Sequence, residues 1–282
     1  MPEYKTSDGL TLHYMDDNDG PAVLMLAGLT RNSADFNFLI PHLPEYRLIR
    51  LDYRGRGLSD YHDDFTTYNV KREARDAIEL LDHLELEKTC VIGTSRGGLI
   101  AMLLSAICNY RLNGIVMNDI GPQIEPEGLF SIMEYIGKIP PFDNLDDAAL
   151  ALQANWADGF PDVPLSRWRR QAEHMWHEKP EGGIGLRYDP RLRDVFSMQV
   201  KSGEEADLWP MFDTMREIPL ASIRGENSDL FSAATQSKMR ERHPEMITAV
   251  VPNRGHVPFL DEPESVSAIR KLLEDSQYPP LK

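Results

Sequence analysis

Val91-Ile92-Gly93-Thr94-Ser95-Arg96-Gly97-Gly98 closes a short apolar run in a Gly-x-Ser-x-Gly-Gly turn. Thr89 to Ile92 reads as a buried strand and Leu99-Ile100-Ala101-Met102-Leu103-Leu104 as the apolar body of a helix, so Ser95 stands on a strand-to-helix corner. Gly93 and Gly97 carry no Cβ, which lets strand and helix cross closely around the serine. The helix points its first N–H groups at whatever sits on Ser95. A serine in that position is a candidate nucleophile. Gly-x-Ser-x-Gly also arises by chance in loops, so the rest of the chain decides.

With 282 residues, 41% of them hydrophobic, the chain has enough apolar side chains for a substantial core. Forty-five acidic against thirty basic side chains leave a formal charge of −15. That balance disfavours nucleic acid and anionic membranes as partners, because both repel an acidic surface. Met1 to Asp8 lacks a cationic start followed by an apolar stretch, so no signal peptide is expected. Leu99 to Cys108, the longest nearly apolar run, is too short to span a bilayer. Cys90 and Cys108 both have apolar neighbours and suit reduced core thiols. The expectation is a cytoplasmic protein acting on a small molecule, with no cofactor; its oligomeric state stays open.

Along the chain, Tyr4 to Thr6 and Leu10 to Tyr14 flank Ser7-Asp8-Gly9 as a β-hairpin, with His13 expected on the solvent side. Ala22 to Ala27 is continuously apolar, the mark of a strand covered on both faces, and it ends in the loop Gly28-Leu29-Thr30-Arg31-Asn32-Ser33. A helix is expected from Phe36 to Leu43, then a strand from Tyr46 to Leu51. Asp52-Tyr53-Arg54-Gly55-Arg56-Gly57-Leu58-Ser59-Asp60 hints at phosphate binding, but Asp60 stands where the third glycine belongs and no P-loop lysine follows. Asn69 to Leu86 has helical apolar spacing, and Leu112 to Asn118 is another strand. From about 123 to 206 prolines are frequent, three of the four tryptophans appear and strand-like runs are absent, which reads as a helical insertion lying over the sheet. His174 and His177 have a spacing that metals use, but no Glu, Asp or Cys completes a ligand shell. Strands at Pro219 to Arg224 and Met246 to Val251, each followed by a helix, complete the alternation.

Alternating strands and helices imply a mainly parallel sheet whose reactive groups gather at strand C-termini. Ser95, Asp229 and His256 each follow a strand, in the chain order of a Ser-Asp-His triad mounted on such a sheet. Asp119, at the end of the Leu112 to Asn118 strand, is the rival acid.

Four ordered motifs now carry a resemblance: the Asp52 to Asp60 loop, Gly93 to Gly98, Gly225-Glu226-Asn227-Ser228-Asp229, and Gly255-His256-Val257-Pro258. Over almost its whole length the chain resembles the α/β-hydrolase fold family. The resemblance implies an α/β fold with a mainly parallel eight-stranded sheet flanked by helices. It also implies one domain, with a core of 1–122 and 207–282 and a helical cap inserted after the sixth strand. It implies Ser95 as nucleophile, His256 as base, Asp229 as acid, and an oxyanion hole made by the backbone N–H groups of Leu29 and Arg96. The family often has His-Gly at the oxyanion loop, whereas this chain has Ala27-Gly28, so that loop needs support from elsewhere. The implied activity is hydrolysis of a small carboxylic ester or lactone. Carbon–carbon bond hydrolysis with the same triad, and ligand reception without turnover, remain alternatives on this fold. Trp156, Phe160, Trp168 and Trp176 are candidate pocket walls.

Overall fold

The computed structural model describes residues 1–201 and 207–276. In chain order the first strands are β1 (Glu3–Lys5), β2 (Thr11–Asp17), β3 (Ala22–Leu26), β4 (Arg47–Leu51), β5 (Thr89–Thr94) and β6 (Leu112–Asn118). Next come β7 (Trp176–Glu178) and β8 (Ile184–Leu186), paired only with each other, and then β9 (Leu220–Gly225) and β10 (Ile247–Val251). The main sheet has eight strands in the order β1-β2-β4-β3-β5-β6-β9-β10. Only β2 runs antiparallel to its neighbours, β1 and β4; all later pairs are parallel.

Every residue of β3 is buried because both faces of the sheet are covered. Leu24 and Leu26 pack toward α1 (Val70–His83) and α2 (Arg96–Cys108), joining Ala74, Ala77, Leu80, Ile100 and Leu104. Val23 and Met25, pointing the other way, join the cluster that contains Ile269 and Leu272. The period of two in a strand thus serves two cores at once.

Between β6 and β9 lie α3 (Pro126–Tyr135), α4 (Leu145–Asn155), α5 (Leu165–Met175), α6 (Leu192–Lys201) and α7 (Trp209–Asp213). α8 (Ala233–Arg242) and α9 (Pro263–Asp275) follow β9 and β10. The insertion has a core of its own, with Leu145, Leu152, Phe160, Trp168 and Trp176 in one cluster. Its expected end at 206 lies outside the described residues. The hairpin β7/β8 corrects the expectation that this segment lacks strands: at three residues each, the strands are too short to show an alternation.

Two further expectations are corrected. Phe36 to Leu43 is not an α-helix but two 3-10 turns, Ser33–Phe36 and Ile40–His42. Pro41 has no N–H to give to a continuing helix, and the Asn32 side chain caps Ala34 instead. His13 does not face solvent; it is buried, with Nδ1 2.9 Å from Asp52 Oδ2. The Asp52 to Asp60 loop folds over β2, with His13 N–H donating to Ser59 Oγ, so β2 has no open face there.

Close approach at the serine corner is absolute. A Cβ on Gly93 would meet the Gly97 carbonyl carbon at 2.5 Å, and one on Gly97 would overlap the Leu26 carbonyl of β3. Gly97→Ala is therefore expected to cost about 3 kcal/mol or more, or to prevent soluble folding, as overpacking against backbone does. Gly159→Ala, where the nearest atom would be at 3.5 Å, should cost less than about 1 kcal/mol. Urea unfolding of the two variants checks this, and equal costs would contradict it.

Candidate active site

Ser95 is the N-cap of α2, with φ 50° and ψ −112°. Such a left-handed backbone is costly for a residue with a Cβ and persists where the surroundings enforce it. Here Ser95 N–H donates to the Asn118 carbonyl of β6, while Gly93 and Gly97 leave room for the bend. The side chain is pushed out at the C-terminal edge of the sheet.

The loop after β10 brings His256 over the serine, with Nε2 3.0 Å from Ser95 Oγ. The other ring nitrogen, Nδ1, lies 2.7 Å from Asp119 Oδ2. Asp119 is fully buried and directly follows β6, with φ 55°. Its Oδ1 accepts the Gly225 N–H at 2.7 Å, and its Oδ2 also accepts the Ser228 hydroxyl at 2.6 Å. Three fixed donors thus aim one carboxylate.

Contrary to the expectation for Asp229, the carboxylate that meets the imidazole is that of Asp119. Asp229 is exposed and accepts a hydrogen bond from Ser131 Oγ at 2.9 Å, away from the imidazole. The Gly225 to Asp229 segment serves the site differently: Gly225 and Ser228 hold Asp119. Because β9 lies between β6 and β10, the loop after β9 can support a carboxylate arriving from β6. Chain order alone does not reveal that arrangement.

Leu29 lines the cavity over Ser95, and Arg96 directly follows the serine. Arg96 is the first residue of α2, where a backbone N–H has no intrahelical acceptor. Leu29 follows β3, and its carbonyl accepts from Arg56 Nε at 3.1 Å; two residues earlier, the Ala27 carbonyl accepts from Tyr53 Oη at 3.1 Å. These two buried side chains supply the loop support that Ala27 cannot. Their only signal in the sequence is a tyrosine and an arginine in the Gly-rich loop after β4.

A cavity of about 760 Å³ opens above Ser95, lined by Leu29, Arg31, Trp156, Phe160, Asp229 and His256 among others. Trp176 lines a neighbouring chamber, whereas Trp168 is fully buried among Trp156, Phe160 and Phe259 and lines neither chamber. His174 and His177 do not converge. The His174 ring is buried against Phe38 and bonded to Asn37, and burial pulls its pKa down to about 4, while His177 is exposed on β7. Among the described residues no group of three or more His, Cys, Asp or Glu side chains is placed to hold a metal ion. Both cysteines are free and buried, and burial pushes the Cys90 thiol up to about 11. Among the described residues no helix is long and apolar enough to cross a membrane.

Known proteins share this arrangement at large scale. The profile of the Alpha/beta hydrolase family matches residues 23–269. The 3-hydroxybutyrate-oligomer hydrolase of Cupriavidus necator is 31% identical over 268 residues, covering 92% of this chain and 90% of that protein. The 2-(acetamidomethylene)succinate hydrolase of Mesorhizobium japonicum is 29% identical over 267 residues, covering 94% and 92%. The crystal structure of an alpha/beta hydrolase from Novosphingobium aromaticivorans superposes with a TM-score of 0.91 at 40% identity, over 97% of each chain. A match that begins in β3 and ends in α9, beside hydrolases similar over nine tenths of their length, leads to one conclusion: the chain belongs to the alpha/beta hydrolase family.

Proposed function

We propose that this protein is a serine hydrolase that cleaves a small carboxylic ester or lactone through an acyl-enzyme on Ser95. The observation that carries this reading is the continuous line from Asp119 Oδ2 to His256 Nδ1 (2.7 Å) and from His256 Nε2 to Ser95 Oγ (3.0 Å). A serine hydroxyl is a weak nucleophile until a base takes its proton, and the imidazole is within reach to do so.

Ser95 Oγ attacks the carbonyl carbon while its proton passes to His256 Nε2. Asp119 keeps the other ring proton on Nδ1 and stabilises the imidazolium. The carbonyl oxygen, now negative, accepts from the N–H groups of Leu29 and Arg96; such donors contribute on the order of 3 kcal/mol each where they have been removed. The bond from carbonyl carbon to leaving oxygen then breaks, and that oxygen takes the proton from Nε2. Water repeats the sequence on the acyl-enzyme, giving up a proton to His256 and releasing the acid and free Ser95. The Cupriavidus necator relative, named for its action on hydroxybutyrate oligomers, favours oxygen-ester cleavage over carbon–carbon cleavage.

Ser95→Ala is expected to lower turnover of an activated ester by roughly 10⁴-fold or more, since the parts of a triad act as a unit. A fluorophosphonate probe should label the wild type at Ser95 and leave the variant unlabelled. Hydrolysis that survives the alanine substitution contradicts the reading.

Asp119→Asn should fold and lose roughly 10³- to 10⁴-fold in kcat, because an amide there favours the wrong imidazole tautomer. Asp229→Asn, at an exposed side chain whose bond is to Ser131, should change kcat by less than about fivefold. Steady-state kinetics on the two variants decide between them, and the reverse ranking would return the acid to Asp229.

A further inference from the structure

A second chamber, of about 290 Å³, lies beside the cavity over Ser95. The two share Thr30, Glu134, Tyr135, Asn155 and Trp156, so they are neighbouring compartments with common walls. Thr30 directly follows Leu29, which puts this wall next to the loop that receives the carbonyl oxygen. The linings differ in character. Around Ser95 the cavity carries Arg31, Asp35, Asp158 and Asp229, whereas the second chamber is closed by Leu152 of α4, Met175 of α5, Trp176 of β7 and Leu186 of β8. Its charged groups, Glu134 and Lys138, are both solvent-exposed residues.

We propose that this chamber holds the acyl part of the substrate, and that the substrates are esters of apolar acids with about six to ten carbons. The proposal rests on the serine-hydrolase reading. In that reaction the leaving oxygen takes its proton from His256 Nε2, so the alcohol must lie on the histidine side. Gly255, His256, Val257 and Asn227 line the cavity over Ser95, and no residue of those two loops lines the apolar chamber. The chamber is therefore on the acyl side of the carbonyl. Its size sets the length: an apolar cavity of about 150 Å³ takes a benzene ring, and 290 Å³ is nearly twice that. Apolar burial then discriminates between substrates, by up to roughly fourfold per methylene removed from water.

The test is a series of p-nitrophenyl esters, from acetyl through butanoyl, hexanoyl and octanoyl to dodecanoyl, read beside a series of alkyl acetates. Wild-type kcat/KM should rise at least about thirtyfold from acetyl to octanoyl and stop rising beyond about ten carbons, with little dependence on the alkyl group of the acetates. Ala151→Phe adds a ring to the chamber wall and should cut the octanoyl-to-acetyl ratio of kcat/KM by about tenfold or more. Leu152→Ala opens the chamber and should move the best acyl length up by about two carbons. The wild-type series stands even if a variant fails to fold. A flat acyl profile, a length dependence found only in the alcohol, or ratios unmoved in both folded variants would overturn the assignment while Ser95-dependent hydrolysis persists. If no ester is cleaved in a Ser95-dependent way, the hydrolase reading itself falls and this assignment falls with it.

Discussion

One buried carboxylate ties the two halves of this site together. Glu73, on α1 and fully buried, has Oε1 2.8 Å from Arg56 Nη1 and Oε2 2.5 Å from Arg96 Nε. Arg56 reaches on to the Leu29 carbonyl, and Arg96 begins the helix that carries the serine corner. The two residues whose N–H groups are proposed to bind the oxyanion are therefore both tied to the same side chain. Removing one partner of such a buried pair leaves an uncompensated charge, typically a loss of about 3–5 kcal/mol. Burial pulls the Arg56 pKa below its ordinary range, and Glu73 opposes that pull. A second buried pair, Arg54 with both oxygens of Asp76 at 2.7 and 2.8 Å, fastens the same loop to the next turn of α1. The glycine after each of these loop arginines lets the loop turn: Gly55 and Gly57 have φ of 70° and 57°. A sequence that hints at phosphate binding turns out to be a brace in which the protein's own carboxylates occupy the arginines.

Against that brace the sheet supplies strain and position. Ser95 and Asp119 both sit just past the ends of parallel strands with positive φ, a conformation costing on the order of 1–3 kcal/mol for residues with a Cβ. Each is held by the neighbouring strand, Ser95 N–H on the Asn118 carbonyl and Asp119 N–H on the Ile223 carbonyl. The ladder β5-β6-β9 thus fixes the serine through β6 and the aspartate through β9. Asn118 adds side-chain bonds to Thr94 Oγ1 and to the Pro258 carbonyl, both at 3.2 Å, which anchors the histidine loop to the same strand ends.

What could be read from the residues follows from the range of the forces involved. The glycines of the serine corner, the continuous apolar run of β3 and the helical spacing of α1 are local patterns, and the eight strands of the main sheet are where those patterns put them. His256 was legible for the same reason, as a histidine after the last strand. The acid was not. Asp119 and Asp229 each follow a strand in turn-like sequence, and only the spatial order β6-β9-β10 and the donors Gly225 and Ser228 distinguish them. The burial of His13 is not legible locally, because its cover, the Asp52 to Asp60 loop, is about forty residues away along the chain. The hairpin β7/β8 shows no period because both of its strands have three residues, whereas the equally short β1 is legible through its seven-residue partner β2.

The division of labour in the chain follows from these constraints. The groups proposed to do the chemistry sit on strand ends and helix starts locked by backbone bonds and buried ion pairs, where a small displacement would break several contacts at once. The walls of the apolar chamber come from α4, α5, β7 and β8, which belong to the insertion and have their own core around Trp168. Leu152, Met175 and Trp176 belong to that core and also line the chamber. A change in one of them alters the shape offered to a substrate without touching the Asp119–His256–Ser95 line or the Glu73 brace. The insertion can therefore vary what is bound while the sheet preserves how it is cleaved.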